Sequence, residues 1–157
     1  MRQTIIAIAI FLALAAVVAG QVPGGVPAKA GQASFKFGGT QVTYGQVTGD
    51  FRQSYGFNTI SLTFSQDGKP GSDHLSISLM IQKPGPVDMN QPMGNGIGYW
   101  TGGSIFAFQK GKSQCTMTVT KLTEASVEGT AECPVVNETG GQKTGSLTAV
   151  KFSASTK

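Results

Sequence analysis

The chain has 157 residues, enough for one domain and too few for two. Only 13% of the residues are charged, and the formal net charge of +4 is spread without a Lys/Arg cluster, which argues against nucleic-acid binding. Gly, Ser and Thr are abundant and no helical apolar periodicity follows the N-terminal stretch, a mixture that points to strands joined by turns.

The N-terminus carries the order of an export signal. Met1-Arg2-Gln3 is short and positive, residues 4–18 form an apolar run, and Val18-Ala19-Gly20 places small residues at the −3 and −1 positions. Cleavage after Gly20 would leave Gln21 first. A retained membrane anchor would need about 20 apolar residues, and this run is shorter. A bacterial lipid anchor would need Cys where Gln21 stands. The expectation is a secreted or periplasmic protein with no membrane insertion after signal cleavage.

Residues 21–32, with their Pro and Gly and no periodicity, are expected to form a flexible leader to a single domain over 33–157. Phe35 and Phe37 then share a face. In residues 59–66, Ile60, Leu62 and Phe64 alternate with Thr59, Ser61, Thr63 and Ser65. In residues 74–81, Leu75, Ile77, Leu79 and Ile81 alternate with His74, Ser76, Ser78 and Met80. Period-two alternation marks strands with one buried and one wet face. The turn residues of 67–72 join these two as a hairpin. Residues 104–109 are apolar on both faces and form a central strand; residues 147–154 close the domain with Val150, Phe152 and Ala154 in phase. The expected fold is all-β, an antiparallel β-sandwich of about eight or nine strands.

Cys115, Met117, Val119 and Lys121 fall on one face of a strand, and Val127, Gly129, Ala131 and Cys133 on one face of the next. A loop at residues 123–125 pairs Leu122 with Ser126, Met117 with Ala131 and Cys115 with Cys133. That register sets the two sulfurs opposite each other, within the spacing a disulfide accepts. In an exported protein, with no second cysteine pair or nearby His to make a metal site, a bridge is the expectation. The Val119-Thr120-Lys121-Leu122 strand, its Val127-Glu128-Gly129-Thr130 return and the terminal Phe152-Ser153-Ala154 resemble the C-terminal half of small exported bacterial β-sandwich domains. The resemblance covers about a third of the chain after the signal. It implies fold and compartment and carries no activity.

Catalytic patterns are sparse. The single histidine, His74, lies on the Ser76/Ser78 face of its strand and reads as a surface residue; no G-x-S-x-G elbow accompanies it. Asp50, Asp67, Asp73 and Asp88 lie in or beside turns, and Glu128 and Glu132 face outward from the cysteine hairpin. Residues 94–98 have the glycines of a phosphate loop without the helix that such a loop needs. Asn137-Glu138-Thr139 is a formal glycosylation acceptor that reads as a turn. Residues 83–101 stand apart as a long, Pro-rich, irregular connection of the kind that carries function. They gather Met89, Met93, Tyr99 and the single tryptophan, Trp100, as a hypothetical ligand-binding platform for a glycan or an extended peptide. The same aromatics could instead cap the core. Met89 and Met93, with Met80 or His74, would be a sparse soft-metal set. No cofactor or metal is expected. The working function is an exported, non-catalytic binding or envelope-interaction module; the alternative is a secreted hydrolase with a carboxylate-based site.

Overall fold

A computed structural model of the chain describes residues 24–69, 71–91 and 94–157. The signal segment 1–20 and Met93 lie outside the described residues. The described chain is all-β, with twelve strands and no helix. They are β1 (Val26–Pro27), β2 (Ala30–Phe37), β3 (Thr40–Tyr44), β4 (Gln46–Ser54), β5 (Phe57–Ser65) and β6 (His74–Ile81). There follow β7 (Gly85–Val87), β8 (Gly96–Thr101), β9 (Ser104–Ala107), β10 (Gln114–Thr123), β11 (Ser126–Glu138) and β12 (Thr144–Ser155). All pairings are antiparallel, in the order β1-β4-β5-β6-β8-β9-β11-β12-β2-β3, with β10 branching from β11 and β7 pairing β10.

The expected eight or nine strands in two packed sheets are thus corrected to twelve in one continuous hydrogen-bonded sheet. The added strands escape a reading of alternation for physical reasons. β1 and β7 span two and three residues, too short for a period to show, whereas β9 falls within the central strand expected at residues 104–109. β3 and β4 carry few apolar residues, and β4 is interrupted by Gly49. Strand pairing also begins at Val26, inside the stretch expected to be a flexible leader.

The sheet curls so that one face is buried against itself. Phe35 of β2 meets Tyr99 of β8 edge-on with ring centroids 5.0 Å apart, although those strands are not neighbours. A single core cluster draws on strands all along the order, with Phe35, Phe64, Leu75, Ile77, Leu79 and Leu147 fully buried. The chain between β1 and β2 makes the corner. Ala28 N–H donates to the carbonyl of Gly49 on β4, and the next residue, Lys29, donates to the carbonyl of Ser155 on β12. Such a strand passes from one part of a curled sheet to another. Gly49 sits at φ +136°, and a Cβ there would collide with the Ser61 carbonyl oxygen, so the β4–β5 pairing at this corner requires glycine.

The β5–β6 hairpin has the expected faces: Ile60↔Leu79, Leu62↔Ile77 and Phe64↔Leu75 are cross-strand pairs, all buried. Cys115 and Cys133 are bridged, with Cα atoms 4.0 Å apart. Their register arises differently from the simple loop. Met117 pairs with Ala131 and Val119 with Gly129 as expected, but Leu122 pairs with Val127 and Thr123 with Ser126, leaving a turn of Glu124 and Ala125 alone. A bulge between Val119 and Lys121 absorbs the difference. The extra residue reverses the phase of the strand end: Lys121, expected on the core face, is exposed, and Leu122 packs against the core.

Candidate ligand-binding site

Residues 83–101 contribute two strands to the sheet. β7 adds to β10 through Met117↔Val87, and β8 adds to β6 through Leu75↔Tyr99 and Ile77↔Ile97. Between them Asn95 acts as a clasp. Its Oδ1 accepts from Met80 N–H at 2.7 Å, and its Nδ2 donates to the Asp88 carbonyl at 3.0 Å and to Gln91 Oε1 at 3.2 Å. Met89 is buried at 5% exposure and Tyr99 at 4%. The Tyr99 ring meets Phe37 as well as Phe35, and its hydroxyl lies 3.3 Å from that of Tyr44. Burial, reinforced by that hydrogen bond, pushes the Tyr44 phenol well above its ordinary pKa. Of the residues singled out in this segment and described, only Trp100 keeps a surface; the structure does not bring it together with Met89 and Tyr99.

Trp100 is instead joined to His74, its direct cross-strand partner. The indole and imidazole stack with centroids 4.6 Å apart and planes 16° from parallel. His74 Nδ1 lies 2.8 Å from the Ser72 carbonyl oxygen. A carbonyl only accepts, so Nδ1 carries the hydrogen and Nε2 is left open. Beside the imidazole is a pocket of about 230 Å³, walled by Thr48 of β4, Thr63 and Ser65 of β5, and the turn bearing Gly68, Lys69 and Gly71. Ser65, 5% exposed, is the buried polar side chain among the described residues. Its Oγ accepts from Gly68 N–H at 2.9 Å. Asp73 turns the other way, accepting from Thr101 Oγ1 at 2.8 Å and from Gly102 N–H at 3.3 Å.

A larger concavity lies on the outer face of the other half. Two adjoining hollows of about 520 and 440 Å³ share Gln32, Glu128 and Ser153 as walls. The strand register explains this lining. Thr130 of β11, Lys151 of β12, Ser34 of β2 and Thr43 of β3 are successive partners and form one row across the strands. Lys121, Glu128, Ser153 and Gln32 form the next, with Lys121 Nζ 3.0 Å from Glu128 Oε1. Among the described residues, the side chains of Gln32, Ser34, Thr43, Thr130, Lys151 and Ser153 enter no hydrogen bond with the protein. No sequence pattern announces this trough, because it is completed only where β12 pairs with β2, two strands remote from each other in the chain. Gln32 lies in the stretch read as leader.

Most of the carboxylates that a hydrolase would draw on are engaged locally. Asp50 pairs with Arg52 at 2.6 Å, Glu132 accepts from Ala149 N–H at 2.9 Å, and Asp88 accepts from Asn90 N–H at 2.9 Å. Asp67 is held below the usual carboxylate range, first by Lys69 N–H. Glu138 is held below it by the Ser104 hydroxyl at 2.6 Å and then by Lys143. Among the described residues no three His, Cys, Asp or Glu side chains gather as a metal site.

Comparison of the chain with protein-family models, curated proteins and solved structures finds no match.

Proposed function

We propose that the protein is an exported binding module whose ligand is a glycan chain lying in the outer trough of β10, β11, β12, β2 and β3. The observation that carries this reading is the pair of side-chain rows, Thr130–Lys151–Ser34–Thr43 and Lys121–Glu128–Ser153–Gln32, most of whose polar groups have no partner among the described residues. Sugar hydroxyls donate and accept, as do Ser, Thr and Gln, while Lys donates and Glu accepts. Rows that cross strands about 4.8 Å apart present such groups at regular intervals along the trough. An open, elongated hollow suits a chain better than a small molecule. Its contacts are polar and water-exchanged, so affinity per contact is modest. The export signal and the bridge between Cys115 and Cys133 support a secreted or periplasmic setting. The same reading takes the curled sheet as the counterpart of the exported bacterial β-sandwich domains that the cysteine hairpin resembles.

The test is calorimetric titration of the full exported chain with cellohexaose, chitohexaose and xylohexaose, alongside an unrelated extended peptide of similar length. Saturable binding to at least one oligosaccharide is expected, with Gln32→Ala and Thr130→Ala each weakening it at least fivefold and leaving the thermal midpoint unchanged. Binding that is insensitive to both substitutions would remove the trough from the reading. Binding of the peptide alone would make it a peptide groove, and appearance of shortened saccharides during the titration would favour the hydrolase.

A further inference from the structure

We infer that the pocket between the β5–β6 turn and the His74–Trp100 stack is a proton-linked binding site for a small oxyanion. This inference is independent of the trough. The pocket of about 230 Å³ is lined by three hydroxyl side chains, Thr48, Thr63 and Ser65, by the fixed positive charge of Lys69 and by His74, whose open Nε2 becomes a donor when the ring is protonated. Ser65 is the informative member. Burying a hydroxyl is unfavourable unless it is satisfied, and its oxygen already accepts from Gly68 N–H, which leaves the hydroxyl hydrogen free to be donated into the pocket. An oxyanion, which only accepts, is the complement of such a set. Lys69 is held loosely: its Nζ is 3.9 Å from Asp67 Oδ2 and both groups are solvent-exposed, a pair that constrains the lysine weakly.

His74 makes the site sensitive to protons. Neutral, its Nε2 presents a lone pair that repels an oxyanion; protonated, it becomes a donor and adds a positive charge. The charged groups around it are Asp67 and Lys69 in the turn and its neighbour Asp73, whose carboxylate is directed at Thr101 and Gly102. β4, β5 and β8 face it with Thr48, Thr63, Ser65 and Trp100, none of them charged. Anion and proton therefore bind with mutual reinforcement, as linkage requires. Since Trp100 is the single tryptophan of the chain, its fluorescence reports the state of the imidazole directly.

The experiment titrates sodium sulfate, whose charge is constant over the range used, into the full exported chain at pH 5.5 and at pH 8, following Trp100 emission. Sodium chloride at matched ionic strength is the control, and acetate and phosphate distinguish a carboxylate from a tetrahedral anion. A saturable change with sulfate, absent with chloride and at least tenfold tighter at pH 5.5, is expected. His74→Gln should abolish the pH dependence, and Ser65→Ala and Lys69→Gln should each weaken binding at least fivefold. Should Ser65→Ala fail to fold, Thr63→Val takes its place with the same expectation. A response that chloride reproduces, or that survives both Lys69→Gln and the hydroxyl deletion, overturns the site. Equal affinity at the two pH values overturns the role of His74.

Discussion

The cysteine hairpin and residues 83–101 present opposite relations between pattern and structure. In β10 and β11 the buried residues Met117, Val119, Val127, Ala131 and Cys133 alternate with Thr and Glu, so a polar face announces the apolar one. In β8 the inward residues Ile97 and Tyr99 alternate with Gly96, Gly98 and Trp100. Two glycines on the outward face supply no polarity, and the strand resembles a loop. Met89 reaches the core from a turn, outside any strand period. Alternation therefore detects contrast between two faces and not the strand itself. Where glycine fills the outer face, the contrast vanishes while the hydrogen-bond ladder remains.

Substitutions in the two regions test this contrast directly. Tyr99→Ala should be the most damaging, lowering unfolding free energy by about 3–5 kcal/mol in a urea titration, as removal of a buried aromatic does. Its neighbour Trp100→Ala, on the opposite face, should cost only about 1 kcal/mol, the worth of a lost aromatic stack. A reversal of that order would show that β8 presents the other face to the core. Next in size comes the hairpin. Cys133→Ser should lower stability by about 2–4 kcal/mol without loss of the far-ultraviolet β signature, and non-reducing peptide mapping of the native chain should find the linked fragments.

Asn95→Ala should fall between the bridge and Trp100 in size, at about 1–2 kcal/mol, because Met80 N–H loses its partner. Hydrogen exchange should then quicken in residues 88–91 and 94–98 and leave the cysteine hairpin unchanged. The smallest effect concerns acid. Glu138, at the end of β11, has a folded pKa below its unfolded one because Ser104 donates to it. Its contribution to stability is present above the ordinary carboxylate range and is lost as pH falls through the lowered folded value. Ser104→Ala should raise the Glu138 pKa toward its ordinary value in a carboxyl NMR titration and flatten the stability profile on the acid side.

Much of the hairpin architecture was legible in the residues, and little of the site was. The faces of β5, β6, β10 and β11 follow from local contrast, and the opposition of Cys115 and Cys133 follows from their common phase. The bulge at Thr120 was hidden, since a three-residue loop and a two-residue turn with a bulge set the same cysteine register. Sheet order was hidden for a different reason: it depends on contacts between segments remote in sequence. Both concavities inherit that difficulty. His74 looked like an isolated surface histidine because Trp100, Thr48 and Ser65 reach it from three other strands. Tyr99 and Met89 looked available because their distance from any visible alternation concealed their burial.

The corner at Ala28 and Lys29 has a consequence for how the chain comes to be folded. It hands the N-terminal strand to β12, so that Phe37 pairs with Leu147 and Ala30 with Ser155. The first long strand forms a hairpin with β3 at once but acquires its second neighbour only when β12 has been synthesised. Pairings of such large sequence separation are slow to form. Until then the β2–β3 hairpin has one open edge, and the growing polypeptide has no complete core to bury. The strand order thus delays closure of the core until β12 is present, a delay that would suit any chain required to cross a membrane unfolded.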